Sequence, residues 1–234
     1  MGLTDNLFPA WLLVASGLLF AIILIRAIRQ TDWTGLKANQ RLQHSLFGAA
    51  VVLGFLWQLR AGLSPGLSIH IFGMTAVTLM LGWRLSVFSG LLALVIVVIT
   101  GREPPGLFAI NGLITVMVPA LVTHAIMRWE RWVNFRNFFA YIFFCGFFGA
   151  GASVAAAGLT MVALLWLTGV YDWYHLVHDY LRYLPLFILP EGFVNGVVVT
   201  GLMVFHPEML TTLDERRSVP KAEARHESTV RSGR

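Results

Sequence analysis

The side chains of this sequence that could do chemistry are few, and most stand in apolar surroundings. His70, Asn111 and Glu191 fall in three separate apolar stretches, LSIHIFGM, AINGLITV and LPEGFVNG, and Asn195 follows Glu191 by four residues. Polar and ionisable groups are costly to bury in such settings, so each is a site hypothesis. A neutral imidazole, an amide and a carboxylate together can bind a cation or orient a polar solute. Imidazole nitrogen suits nickel, cobalt, copper or zinc. The alternative is separate satisfaction, with the histidine bonded to a backbone carbonyl and the glutamate simply protonated.

A second cluster is YDWYHLVHDY, with Asp172, His175, His178 and Asp179. Histidines three apart share one helix face, which suits a metal-collecting site. An interfacial turn with Trp173, Tyr174 and Tyr180 at headgroup level fits the same residues. His44, His124 and His206 fall near the ends of apolar runs and read as interfacial. The one cysteine, Cys145, rules out a disulfide within the chain and a cysteine-based metal centre. There is no G-x-x-x-x-G-K-[ST] loop, no HExxH and no nucleophile–base motif. An enzyme is not expected, nor a cofactor held by this chain, and energy from ATP would have to come from a partner.

These groups need elements to position them, and the composition names the kind. Of 234 residues 57% are hydrophobic and 12% charged, about half the charge of a soluble domain, too little to cover a water-facing surface. The expected fold is all-α and polytopic, with about seven spans: Leu7–Ile25, Leu42–Leu59, Ala61–Trp83, Leu85–Thr100, Pro104–Met127, Phe138–Tyr171 and Tyr183–Phe205. The second carries Gln43, His44 and Gln58, the fourth is short, and the sixth is long enough to be tilted or broken. Residues 1–206 would form the membrane bundle and 207–234 a polar, disordered cytoplasmic tail, solvated or touching anionic membrane lipid. Joins after odd-numbered spans, with the tail, hold fourteen lysines and arginines, against three on the other side. The positive-inside rule then puts the N-terminus outside and the C-terminus in the cytoplasm. The net charge of +5 is spread between apolar runs, so nucleic acid is not an expected partner.

Counted at 1.5 Å per residue from the expected outer boundaries, His70 and Asn111 lie about 10 Å deep and Glu191 about 12 Å. That common depth favours one cavity lined by all three, with Asn195 beside them. In the sixth span, small residues recur at four-residue spacing: Gly149 with Ser153, Gly151 with Ala155, Ala152 with Ala156. Such a face lets helix backbones approach closely, within the bundle or against a partner.

The stretches LSIHIFGMTAVTLMLGWRLSVFSGLL, EPPGLFAINGLITVMVPAL and LPEGFVNGVVVTGLM resemble the permease (substrate-capture) subunits of cobalt and nickel energy-coupling-factor transporters, the CbiM/NikM family, from about residue 66 to 206. The resemblance implies seven spans with the N-terminus outside and a location in the cell (inner) membrane. It also implies a divalent ion such as nickel or cobalt as substrate, ATPase subunits and a transmembrane coupling subunit. The family's ion ligands are the N-terminal amine, a histidine at position two and a histidine early in the third span. His70 matches the last, whereas position two here is Gly2. A relative that binds a different ion, or uses His70 with Glu191 or the His175/His178 pair, remains open. So does an assembly or sensory protein of the same fold.

Overall fold

The computed structural model describes residues 2–3, 8–64, 67–133 and 138–210. The polar stretch from residue 211, read above as the body of a cytoplasmic tail, lies outside the described residues, as does Arg136. The chain is predominantly helical. Helix α1 (Ala10–Gln30) is followed by the short α2 (Trp33–Ala38) and by α3 (Gln40–Leu56). Asp32 and Asn39 start the last two by accepting from the backbone N–H of Gly35 and Leu42, as short polar side chains do at N-caps. Gln43 Nε2 donates to the carbonyls of Leu36 and Lys37, so a residue that weakened the second span serves the end of α2.

Next come α4 (Met74–Ile99), α5 (Pro105–Val133), α6 (Phe138–Leu167), the short α7 (Trp173–Asp179) and α8 (Leu184–Phe205). Two of these contain π-helical segments, Gly112–Met117 in α5 and Ile142–Phe148 in α6. Five helical stretches are long and apolar enough to cross a membrane: Ala10–Gln30, Met74–Ile99, Pro105–Val133, Phe138–Leu167 and Trp173–Phe205. Helix α3, at 17 residues, is shorter. The residues after α8 begin the expected tail with a 3₁₀ turn, Pro207–Met209, and a buried Leu210.

One feature corrects the expected helices. The span expected over Ala61–Trp83 is helical only from Met74, and a small sheet precedes it in an otherwise all-helical fold. Strands β2 (Ala61–Ser64) and β3 (Leu67–Ile69) pair antiparallel, and β1 (Gly2–Leu3) joins the other edge of β3, with Gly2 opposite Ser68. The segment contains Gly62, Ser64, Pro65, Gly66 and Ser68, whose backbone preferences oppose a helix while an averaged hydropathy does not register them.

The boundary expected between the third and fourth spans, Trp83 and Leu85, falls at a reversal inside α4. Gly82 has φ 76° and ψ 161°, and the chain reverses there. Thr78 Oγ1 donates to Ser86 Oγ at 3.1 Å, although residues eight apart in a straight helix are separated by about 12 Å. Further out, a Cβ on Gly90 would stand 2.9 Å from Met74 Sδ. Residues 74–81 and 83–99 are therefore two arms of a hairpin. The buried centre is built from these arms and α5, with Met74, Leu79, Leu94, Ile110 and Ile114 fully enclosed. Helix α1 lies at the periphery, held in part by an edge-to-face contact between Phe20 and Phe108.

The small-residue face of α6 is absorbed mainly by bundle packing. Gly151 faces Ile188 of α8, Ser153 bonds Thr123 of α5, and Ala152 is exposed.

Gly82→Ala should cost about 1–3 kcal/mol, because that backbone region is essentially reserved for glycine. Gly17→Ala, whose added methyl meets nothing within 4 Å, should leave stability unchanged or slightly raised. Thermal unfolding in detergent, followed by helical circular dichroism, separates the two.

Candidate functional site

The first arm of α4 starts in the middle of the bundle. Met74 lies against Gly90, which at 1.5 Å per residue is roughly 10 Å from the Trp83 end of the second arm and 14 Å from the Ile99 end. The first N–H groups of any helix lack intrahelical partners. Gly73, the N-cap at φ 67°, has no side chain to offer them. The partners come from α8, across 119 residues of sequence. Glu191 accepts from the Phe72 N–H through Oε2 and from the Gly73 N–H through Oε1, both at 2.8 Å. Asn195 Oδ1 accepts from the Ala76 N–H at 2.8 Å, and its Nδ2 donates to Glu191 Oε1 and to the Glu191 carbonyl. A carboxylate at a helix N-terminus also meets the positive end of the helix dipole.

Local sequence explains the reach of α8. Glu191 and Asn195 are four apart and share a face. Gly192 lets α8 close on α6, since a Cβ there would stand 3.0 Å from the Phe147 carbonyl oxygen.

His70 precedes this junction and is buried. Its Nδ1 lies 3.2 Å from the Ile71 carbonyl oxygen. A carbonyl only accepts, so this contact is a hydrogen bond in the tautomer protonated at Nδ1, for which Nε2 is the nitrogen that would hold a metal ion. The ring sits between Trp57 and Phe72, at centroid distances of 5.4 and 5.3 Å, and Trp57 Nε1 donates to the Phe72 carbonyl. A cavity of about 560 Å³ opens here, lined by His70, Glu191, Arg60, Arg102, Gln58 and Pro190 among others. The pairing of Gly2 with Ser68 brings the first residues of the chain beside the strand that leads into His70.

The structure thus brings His70 and Glu191 to one cavity, with Asn195 behind Glu191. Asn111 stands on a neighbouring network. Its Nδ2 donates to Glu103 Oε2 at 2.8 Å, and Glu103 Oε1 pairs with Arg60 Nη2 at 2.9 Å. Arg60 Nε also donates to the Trp57 carbonyl and Nη1 to the Arg102 carbonyl. The ion pair is buried, and Arg60 carries it to the cavity wall. Sequence reasoning missed Arg60, Glu103 and Trp57. Both charges fall between the expected spans, and the signal is an acidic residue directly before Pro104–Pro105 at the start of an apolar run. His175 and His178 lie on α7, outside this cavity's lining. Among the described residues no group of three or more His, Cys, Asp or Glu stands together as a metal cluster.

Glu191→Gln should destabilise the protein by about 2–3 kcal/mol, since an amide turns a donor toward backbone N–H groups, and Glu191→Ala should cost more. Removing one member of the Arg60–Glu103 pair, by Arg60→Ala or Glu103→Ala, should cost about 3–5 kcal/mol, and replacing both by leucine should cost less than either single change. Denaturant unfolding in detergent reads both series.

The family model described as the cobalt uptake substrate-specific transmembrane region, CbiM, matches residues 3–209. Two solved structures share the fold. One is described as the crystal structure of a truncated transition metal transporter, with TM-score 0.75, 16% identity, 88% of this chain covered and 100% of that one. The other is described as the crystal structure of a transition metal transporter, with TM-score 0.75, 15% identity, and 94% and 100% covered. No curated protein matches in sequence. The match runs over nearly the whole chain and takes in the sheet, the α4 hairpin and the cavity, so this multi-pass membrane protein belongs to the CbiM family of cobalt-uptake transmembrane regions.

Proposed function

We propose that the chain is the substrate-capture subunit of an energy-coupling-factor type importer for a divalent transition-metal ion of the cobalt or nickel kind. The observation that carries this reading is His70, buried at the wall of a cavity beside a broken helix. Discontinuous helices that begin near mid-depth are a recurrent way for transporters to build substrate sites. In this reading His70 is the principal ligand, the paired β1 and β3 keep the first residues of the chain next to it, and Glu191, Asn195 and Asn111 hold the cavity wall.

Counting α1, α3, the strand-and-half-helix segment that reverses at Gly82, its second arm, α5, α6 and α8 gives seven crossings. In this reading the sheet end faces outside the inner membrane and the tail lies in the cytoplasm, as the positive-inside bias of the sequence supports. ATPase subunits and a transmembrane coupling subunit are the partners, with bilayer lipid around the apolar faces. Gly2 in place of the family's histidine favours a second reading, an assembly or sensory protein of the same fold that no longer carries an ion.

Elemental analysis and titration calorimetry on detergent-purified protein, with nickel, cobalt, copper and zinc, test the choice. A stoichiometric ion in the wild type whose affinity falls at least 100-fold in a folded His70→Ala variant supports capture and names the ion. Unchanged affinity in that variant removes His70 as the ligand, and no ion above background leaves the second reading.

A further inference from the structure

The cavity at His70 makes no use of the YDWYHLVHDY motif. In the structure Asp172 caps α7 by accepting from the His175 N–H, and the buried Leu176 anchors the helix to the bundle. His175 and His178 then stand one turn apart. His175 Nδ1 lies 3.0 Å from Asp179 Oδ2, and His178 Nδ1 lies 2.9 Å from the Tyr174 carbonyl oxygen. Both partners are acceptors, so in the neutral imidazoles the proton sits on Nδ1 and the lone pair on Nε2 of each ring. Pairing of Nδ1–H with a carboxylate or a backbone carbonyl is the arrangement that orients metal-ligating histidines and raises their basicity. Stacking fixes the ring planes further. His175 lies 4.5 Å from the Tyr171 ring at 11°, and His178 lies 3.9 Å from the Tyr174 ring at 25°.

We propose that His175 and His178 form a second site for divalent transition-metal ions, distinct from the cavity at His70, binding through their Nε2 atoms with water completing the coordination. The pair supplies only two protein ligands, so its ion is held loosely and exchanges readily. Helix α7 leads directly into α8, whose Phe187, Pro190 and Glu191 line the cavity at His70. An exchanging site on that approach concentrates ions at the mouth of the bundle. This role rests on the capture reading above, whereas binding itself does not. Because the ligands must be neutral imidazoles, occupancy falls as the solution is acidified.

Equilibrium dialysis with Ni²⁺ on the full chain, purified without a polyhistidine tag, tests the site. Wild type should bind two ions of unequal affinity. The double variant His175→Asn/His178→Asn should lose the weaker ion and keep the tighter, His70→Ala should do the reverse, and Asp179→Asn should weaken the second site by roughly 10-fold. A double variant that keeps the weaker ion, or a wild type that binds only one ion and loses it with His70→Ala, overturns the second site and leaves capture intact. If the tighter ion never appears while the weaker one is lost with the histidine pair, the second site stands and the capture reading fails. Circular dichroism confirms that the variants fold, as these side chains lie on the surface of a short helix.

Discussion

A helix that begins inside an apolar bundle has N–H groups that neither water nor its own turns can satisfy, and the structure around His70 is organised by that constraint. Each unsatisfied backbone group would cost several kcal/mol in a hydrocarbon-like setting. Glu191 and Asn195 meet the requirement for Phe72, Gly73 and Ala76 with three bonds of 2.8 Å. The clamp dictates where α8 must run, how closely it must approach α6, and why a glycine stands at position 192. It also fixes the chain two residues past His70, so the orientation of the imidazole depends on a helix more than a hundred residues away.

The other buried polar groups reinforce the same region from the opposite side. Arg60 and Glu103 tie the end of α3 to the start of α5, and Asn111 and the Trp57 and Arg102 carbonyls complete their hydrogen bonding. A buried ion pair is weak evidence for stability, because desolvation offsets attraction, but it fixes geometry once formed. Here it positions Trp57, whose indole N–H holds the Phe72 carbonyl while its ring packs on His70. Deeper in the bundle, Thr75, Thr123 and Ser153 join three helices through hydroxyl bonds of 2.9–3.4 Å. The half-helix is thus tied to α5, α6 and α8.

The reversal at Gly82 makes this arrangement possible. Without a positive φ at that position the first arm would continue straight and carry His70 away from α8. Gly90 then lets the arms close, since a side chain there would collide with Met74 and Val116. Two glycines therefore fold the expected pair of spans into a hairpin, and its first segment starts extended and finishes helical. Such a segment can present backbone and side chains to a cavity, as a continuous helix cannot.

The sequence by itself determined the membrane environment, the apolar runs that became α1, α3, α5, α6 and α8, and the identity of the polar residues that matter. Those follow from composition and hydropathy, which are properties of each stretch alone. It also marked Glu191 and Asn195 as a pair, because a spacing of four is a local property of a helix. What only the tertiary structure decided is where those side chains are directed. A shared depth suggested one cavity for His70, Asn111 and Glu191, yet Asn111 bonds to Glu103, and Glu191 serves the backbone of Phe72 and Gly73. The depth count assumed a helix over 61–83, and the small sheet at its outer end removes that assumption. Hydropathy averages over a window, so it cannot register a single glycine in a left-handed conformation or a strand paired with residues sixty positions away. The partners of a buried helix end are chosen by packing, and packing is fixed only when every element is in place.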